Sequence, residues 1–214
     1  IPKVNNILIG GGMAFTFLKY FGTKIGNSIF DEEEYKLVPE ILNNAVKSNT
    51  TIVLPKDFIC NDKFSNDGNI VYKDLSIGIP PNYMGLDIGI KTITEFKDIL
   101  KKSDHIIWNG PLGVFEFDNF SNGSKEIMKF ISELQATTII GGGDTAACCE
   151  KFNLSDKMYH ISSGGGASLE FLEGKQLPGL FPPSCDRHVW RICGPANGID
   201  EHPDRMCARC GLEI

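Results

Sequence analysis

The sequence predicts an α/β fold in three layers, a mostly parallel sheet with helices on both faces. Three observations carry that prediction. First, an apolar run meets three glycines and then a helical pattern at three places. These are Ile7-Leu8-Ile9 before Gly10-Gly11-Gly12, Thr138-Ile139-Ile140 before Gly141-Gly142-Gly143, and Tyr159-His160-Ile161-Ser162-Ser163 before Gly164-Gly165-Gly166. Second, strand, turn and helix alternate from residue 7 to residue 173, the pattern of parallel strands joined by crossover helices. Third, 42% of the 214 residues are hydrophobic, enough for a proper core. In an open parallel sheet the strand C-termini share one edge, where ligands bind. Three glycine turns on that edge predict a single phosphate-lined cleft.

The bulk numbers exclude several classes. The net charge is -6, which gives no support for nucleic-acid binding. No apolar run approaches the roughly 18 residues of a membrane span, and no signal peptide is visible. Cys60, Cys148 and Cys149 lie in the main body, while Cys185, Cys193, Cys207 and Cys210 crowd the last 34 residues. Adjacent cysteines on a helix point apart, so Cys148 and Cys149 are expected as packed side chains rather than a disulfide. The body reads as reduced and cytoplasmic.

Taken in order, the chain enters a buried strand almost at once, which leads us to expect more chain upstream. Gly10 and Gly12 fit the start of a G-x-G-x-x-G pattern, but Phe15 stands where its third glycine belongs, against a dehydrogenase-type dinucleotide site. Asp31 to Lys47 is a helix with an acidic first turn and apolar spacing at Leu37, Val38, Ile41, Leu42 and Ala45. Thr51 to Pro55 is a strand. Phe58-Ile59-Cys60 and Ile70-Val71-Tyr72 form a short β excursion around a turn-rich loop, 61–69. Phe64 is that loop's one large apolar residue, able to pack locally or to close over a flat ligand. The segment from Gly78 to Gly89 is too apolar for a solvent loop and is expected to line something. Thr92 or Thr94 is expected to cap a helix through Lys101-Lys102.

Asp104 to Trp108 is a strand, with His105 a structural histidine. It runs into the stiff loop Asn109-Gly110-Pro111-Leu112-Gly113-Val114-Phe115-Glu116. Its single carboxylate, Glu116, in an apolar wall suits the two hydroxyls of a ribose, or else is a surface charge beside Phe117 and Asp118. Ser121 to Leu134 is a helix. Asp144-Thr145 then open a helix to about Phe152. Glycines let the backbone approach a ligand, and a helix N-terminus offers free N–H donors and a positive dipole end. Thr145 adds a hydroxyl. Asp144 would repel a bare phosphate and fits only with a divalent cation between them, unless it is simply an N-cap.

These residues together resemble phosphoglycerate kinase, in its C-terminal, nucleotide-binding domain of Rossmann-like architecture. The resemblance rests on Ile9-Gly10-Gly11-Gly12-Met13-Ala14-Phe15-Thr16-Phe17-Leu18, Gly85-Leu86-Asp87, Trp108-Asn109-Gly110-Pro111, Gly113-Val114-Phe115-Glu116, Gly141-Gly142-Gly143-Asp144-Thr145 and Gly164-Gly165-Gly166-Ala167-Ser168, closing with Leu172-Glu173-Gly174-Lys175 and Leu177-Pro178-Gly179. It covers residues 1–180 and implies reversible phosphoryl transfer between ATP and 3-phosphoglycerate, a glycolytic reaction whose acyl phosphate product is 1,3-bisphosphoglycerate. It implies that Gly11, Phe64, Gly85, Leu86 and Val114 wall the adenine. Glu116 takes the ribose, with Pro111, Leu112 and Phe115 in the same loop. Asn109, Gly110 and Gly143 approach the phosphates, Asp144 acts through Mg²⁺, and Thr145 holds a terminal phosphate. Gly164 and Gly165 stabilise the phosphoryl group in flight, so the catalytic set is Gly164, Gly165 and Thr145. The glycerate would be held by an N-terminal domain that this sequence does not contain, and the lysine preceding the first strand is also outside it. A monomer is expected. Ser163 replaces a common threonine and keeps the hydroxyl.

From Phe181 to residue 214 the resemblance stops. All four arginines (Arg187, Arg191, Arg205, Arg209) lie there, and all 17 lysines lie before it. So sharp a change points to a different coding origin for the tail, and its composition to disorder. A zinc site is the alternative, from Cys207-Ala208-Arg209-Cys210 with Cys185, Cys193, His188 and His202. The Cys185–Cys193 spacing is too wide for the second short pair such a site needs.

Overall fold

The computed structural model describes residues 3–162, together with Gly164, Gly166 and Glu170. The chain divides into two compact units, residues 1–165 and 166–214; almost all described residues belong to the first. The expectations for Gly165, Ser163 and the tail lie outside the described residues, as does the expected boundary at 180.

The first unit is α/β, as the sequence predicts. Strand β1 (Asn6–Leu8) leads to helix α1 (Gly11–Tyr20), then α2 (Glu32–Lys47) and β2 (Thr51–Val53). β1 and β2 pair in parallel, Ile7 opposite Ile52. Asp31 caps α2, its carboxylate accepting from Glu34 N at 2.8 Å, so the acidic start of that helix includes a true N-cap.

The β excursion is real and antiparallel. β3 (Asp57–Asn61) lies between β4 (Val71–Asp74) and β5 (Met84–Ile88). β5 is a finding, since its stretch reads in sequence as a lining loop. It is buried on both faces and so lacks the alternation that marks a half-buried strand. Helix α3 (Ile90–Leu100) starts earlier than expected, with Gly89 as its N-cap residue. Thr92 is therefore inside the first turn, where its hydroxyl meets Asp57 instead of capping.

The remaining strands repeat one unit. β6 (His105–Asn109), α4 (Asn122–Ile131), β7 (Thr137–Gly141), α5 (Gly143–Lys151) and β8 (His160–Ser162) follow in order. The sheet order β6-β7-β8 is all parallel. Both crossovers step in the same direction, so right-handedness puts α4 and α5 on one face. Ile106 and Ile140 from the strands, Ile127, Met128 and Ile131 from α4, and Cys148 and Cys149 from α5 are buried in a common core. Cys60, Cys148 and Cys149 are free thiols, as expected. Among the described residues no helix is long and apolar enough to cross a membrane.

Candidate functional site

Parallel register fixes one edge of the site. Asn109, Gly141 and Ser162 are opposite one another at the C-terminal ends of β6, β7 and β8. Gly142 then turns the chain into α5 with φ +94° and ψ 142°, a conformation for which only glycine is suited. Its amide donates to Ser162 O at 3.0 Å, tying two of the glycine turns together. The amide of Ala146 donates to Gly142 O at 2.9 Å. The amides of Gly143, Asp144 and Thr145 precede that bond and point out of the helix start. A methyl group added at Gly143 or at Gly110 would meet nothing within 4 Å, so both backbones border open space.

Thr145 and Asp144 part company here. Thr145 is 1% exposed, and its hydroxyl oxygen accepts from Gly110 N at 2.7 Å. It joins the β6 turn to α5 and retains its own O–H to donate. Asp144 is exposed at the first turn of α5. Trp108 Nε1 donates to Gly110 O, so the peptides on both sides of Gly110 are held.

An apolar wall adjoins this edge. A methyl group at Gly11, where φ is +59°, would lie 2.7 Å from Pro111 O, and one at Gly10 would overlap Leu112. The first glycine turn thus presses against the 109–116 loop. Val114 N donates to Leu86 O at 2.8 Å, joining the loop to β5. Gly85 receives the Phe15 ring, 2.5 Å from where a methyl would stand. Leu86, Leu112 and Phe115 are buried and form the floor. Phe64 is 65% exposed and stands edge-on to Phe117, ring centroids 5.3 Å apart. Its loop is anchored by Asn119, whose backbone and side-chain nitrogens donate to Asn66 at 3.1 and 2.8 Å. Glu116, next to Phe117, is exposed. Gly164 is exposed as well.

Three residues that sequence reading did not select belong to this neighbourhood. Ile29 is 70% exposed and lies 2.9 Å from a methyl position on Gly12, an apolar side chain left in solvent beside a glycine turn. Lys151, at the end of α5, donates to Phe115 O at 2.8 Å and to Asp118 Oδ1 at 2.9 Å. Asp87 is 1% exposed and underlies the loop: methyl groups on Gly113 or Gly123 would fall 2.3 Å from its Oδ1. It accepts from Ile88 N at 2.9 Å and Gly123 N at 2.7 Å. Burial pushes its carboxyl up to about 7, against the downward pull of the Gly123, Ile88 and Asn122 amides. Only Asp87 had a sequence signal, its place after Gly85-Leu86.

Among the described residues no group of three or more His, Cys, Asp or Glu could hold a metal ion. The lone carboxylate of Asp144 beside a helix N-terminus fits Mg²⁺ differently. Mg²⁺ is commonly held by one or two carboxylates plus substrate phosphates rather than by a protein cage.

The family model described as phosphoglycerate kinase matches residues 1–175. The chain belongs to the phosphoglycerate kinase family. It is 50% identical over 184 residues to phosphoglycerate kinase of Schistosoma mansoni, covering 84% of this chain and 44% of that one. The Gallus gallus phosphoglycerate kinase gives the same identity and coverage. Among solved structures, phosphoglycerate kinase from Coxiella burnetii superposes with a TM-score of 0.79 at 38% identity, over 83% of this chain and 46% of that one. The chain thus spans less than half the length of the phosphoglycerate kinases it matches.

Proposed function

We propose that this chain is the C-terminal, Mg-nucleotide half of a phosphoglycerate kinase, serving reversible phosphoryl transfer between ATP and 3-phosphoglycerate. The observation that carries the reading is the open edge at Gly110 and Gly143, where a helix N-terminus, two glycine backbones and the exposed Asp144 converge. That combination suits a polyphosphate. The adjoining apolar wall of Gly11, Leu86, Pro111 and Val114, with Phe64 and Ile29 exposed at its rim, suits an adenine. Glu116 accepts from the ribose hydroxyls.

Phosphoryl transfer asks a protein mainly for alignment and charge neutralisation. The amides of Gly143 and Asp144 orient phosphate oxygens. Asp144 holds Mg²⁺, which neutralises phosphate charge when bound. Thr145 fixes Gly110 and donates its O–H toward the terminal phosphate. Gly164 and Gly165 serve the phosphoryl group in transit. The acceptor carboxylate of 3-phosphoglycerate comes from an N-terminal domain, and closure of the two domains expels water. Free thiols at Cys60, Cys148 and Cys149 suit the reducing cytoplasm where glycolysis runs.

Calorimetric titration with ADP, with and without Mg²⁺ and with NAD as control, tests the reading. Magnesium-dependent ADP binding with no NAD binding is the expected result. NAD binding, or ADP binding indifferent to Mg²⁺, overturns it. A second reading, a nucleotide-binding module without turnover, rests on the same open edge, which offers donors to a nucleotide without calling on an acceptor. Turnover is expected only when a glycerate-binding domain is added; brisk turnover by the 214-residue chain alone would refute that division of labour.

A further inference from the structure

Lys151 has contacts that its place at a helix end does not explain. A lysine in the last turn complements the helix dipole from solvent. Here the ammonium group leaves its own helix and reaches a loop more than 30 residues earlier in the chain. It donates to Phe115 O at 2.8 Å, lies 3.5 Å from Glu116 O, and pairs with Asp118 Oδ1 at 2.9 Å. Three acceptors over four residues fix the segment that carries Glu116. The side chain is 33% exposed while that of Asp118 is 86% exposed, so the ion pair itself adds little stability. The carbonyl contacts are what Lys151 contributes.

The other end of the same helix carries Gly143, Asp144 and Thr145. Asp144 and Lys151 are seven residues apart, about 10 Å along an α-helix. Helix α5 therefore meets the phosphate edge at one end and the Glu116 loop at the other. A nucleotide lying across both must match that fixed span.

We infer that Lys151 is a positioning residue for nucleotide recognition: by clamping the Phe115 and Glu116 carbonyls it sets the height of the Glu116 carboxylate relative to the phosphate edge of α5, and so helps the site prefer ribonucleotides over 2′-deoxyribonucleotides. This rests on the assignment of Glu116 to the ribose. Lys151 touches no substrate and acts through the loop.

The test compares MgADP with Mg-2′-deoxy-ADP on the full chain and on K151M, K151R and E116Q. The wild-type chain is expected to favour ADP by roughly tenfold, the value of a hydrogen bond to a charged group. E116Q loses most of that preference. K151M loses at least about half of it in logarithmic terms, a change in ratio that general weakening of the fold would not produce, and K151R restores it. Amide exchange at Phe115–Asp118 rises in K151M, while that of β3 stays unchanged. Wild-type preference that survives intact in K151M overturns the role of Lys151 and leaves the Glu116 assignment standing. No preference in the wild type, no effect of E116Q, or no ADP binding at all overturns the Glu116 assignment and this inference with it.

Discussion

Helices α3 and α5 both begin at a glycine N-cap residue, Gly89 and Gly142, and both have an aspartate at their N-terminus. They use it in opposite ways. Asp57, from β3, is 0% exposed. Its carboxylate accepts from Lys91 N and Thr92 N at 2.9 Å, from the Thr92 hydroxyl and from the Tyr72 hydroxyl. That helix start is closed: the Lys91 and Thr92 amides both donate to a carboxylate of the protein itself. Asp144 belongs to α5 itself and faces solvent, next to a glycine with nothing around it. That start is open. The same dipole and the same carboxylate thus serve as a structural plug in one place and, in the proposed reading, as a ligand site in the other. What separates them is whether a second strand supplies the anion.

The comparison breaks most readily at its closed end. Asp57→Ala leaves the Lys91 and Thr92 amides and the Thr92 and Tyr72 hydroxyls without their acceptor, at about 1–3 kcal/mol for each group that water does not reach. A stability loss of at least about 3 kcal/mol is expected in urea denaturation. Asp144→Ala should change stability by less than about 1 kcal/mol and abolish the effect of Mg²⁺ on ADP binding. Equal stability losses in the two variants would erase the distinction.

Helix α4 supplies an intermediate case, because Asp87 is buried at its start with Gly123 N as donor. A carboxyl held near pH 7 in the fold and near 3.9 in the unfolded chain keeps its proton longer when folded. Its contribution is therefore greatest below pH 4 and is lost as pH rises through about 7, with a slope of up to roughly 1.4 kcal/mol per unit. Above that the slope vanishes. Denaturation midpoints of Asp87→Asn should lack this decline between pH 5 and 7, and an unchanged profile would show that Asp87 is ionised throughout.

The open end is sharpened by two neighbouring glycines. Gly142→Ala forces an L-residue to φ +94° and is expected to cost about 1–3 kcal/mol. Gly143→Ala places alanine inside a helix, where it is favourable by up to about 1 kcal/mol. The same methyl blocks the open backbone, so ADP affinity should drop by roughly tenfold while the melting temperature holds or rises. Smallest of all is Phe64→Ala. Stability should stay within about 0.5 kcal/mol, with roughly threefold weaker ADP binding from the lost aromatic face.

Sequence periodicity made the strand–glycine–helix units legible, because parallel strands and glycine turns both leave local marks. The 109–116 loop and the residues beside it were legible too, and the structure draws Gly11 to Pro111, Gly10 to Leu112, and Leu86 to Val114. What stayed hidden depends on distant partners. β5 has no alternation because both its faces are covered. Thr92 reads as a cap, but Asp57, 35 residues away, claims its hydroxyl. Ser121 opens α4 in sequence, yet its hydroxyl bonds Asp118 O rather than the helix. Thr145 reads as a phosphate donor, and nothing local shows that Gly110 uses its oxygen. Lys151 reads as a helix-end charge.

The free thiols have a practical meaning of their own. Burial pushes Cys60 and Cys148 up to about 12 and raises Cys149 as well. Almost no thiolate exists at neutral pH, so alkylating reagents and peroxide must wait for the backbone to open. Cys60 lies on β3 beside the closed helix start, and Cys148 and Cys149 lie on α5 behind the open one. Their labelling rates are two separate clocks, one for each helix start, readable peptide by peptide without introducing a substitution.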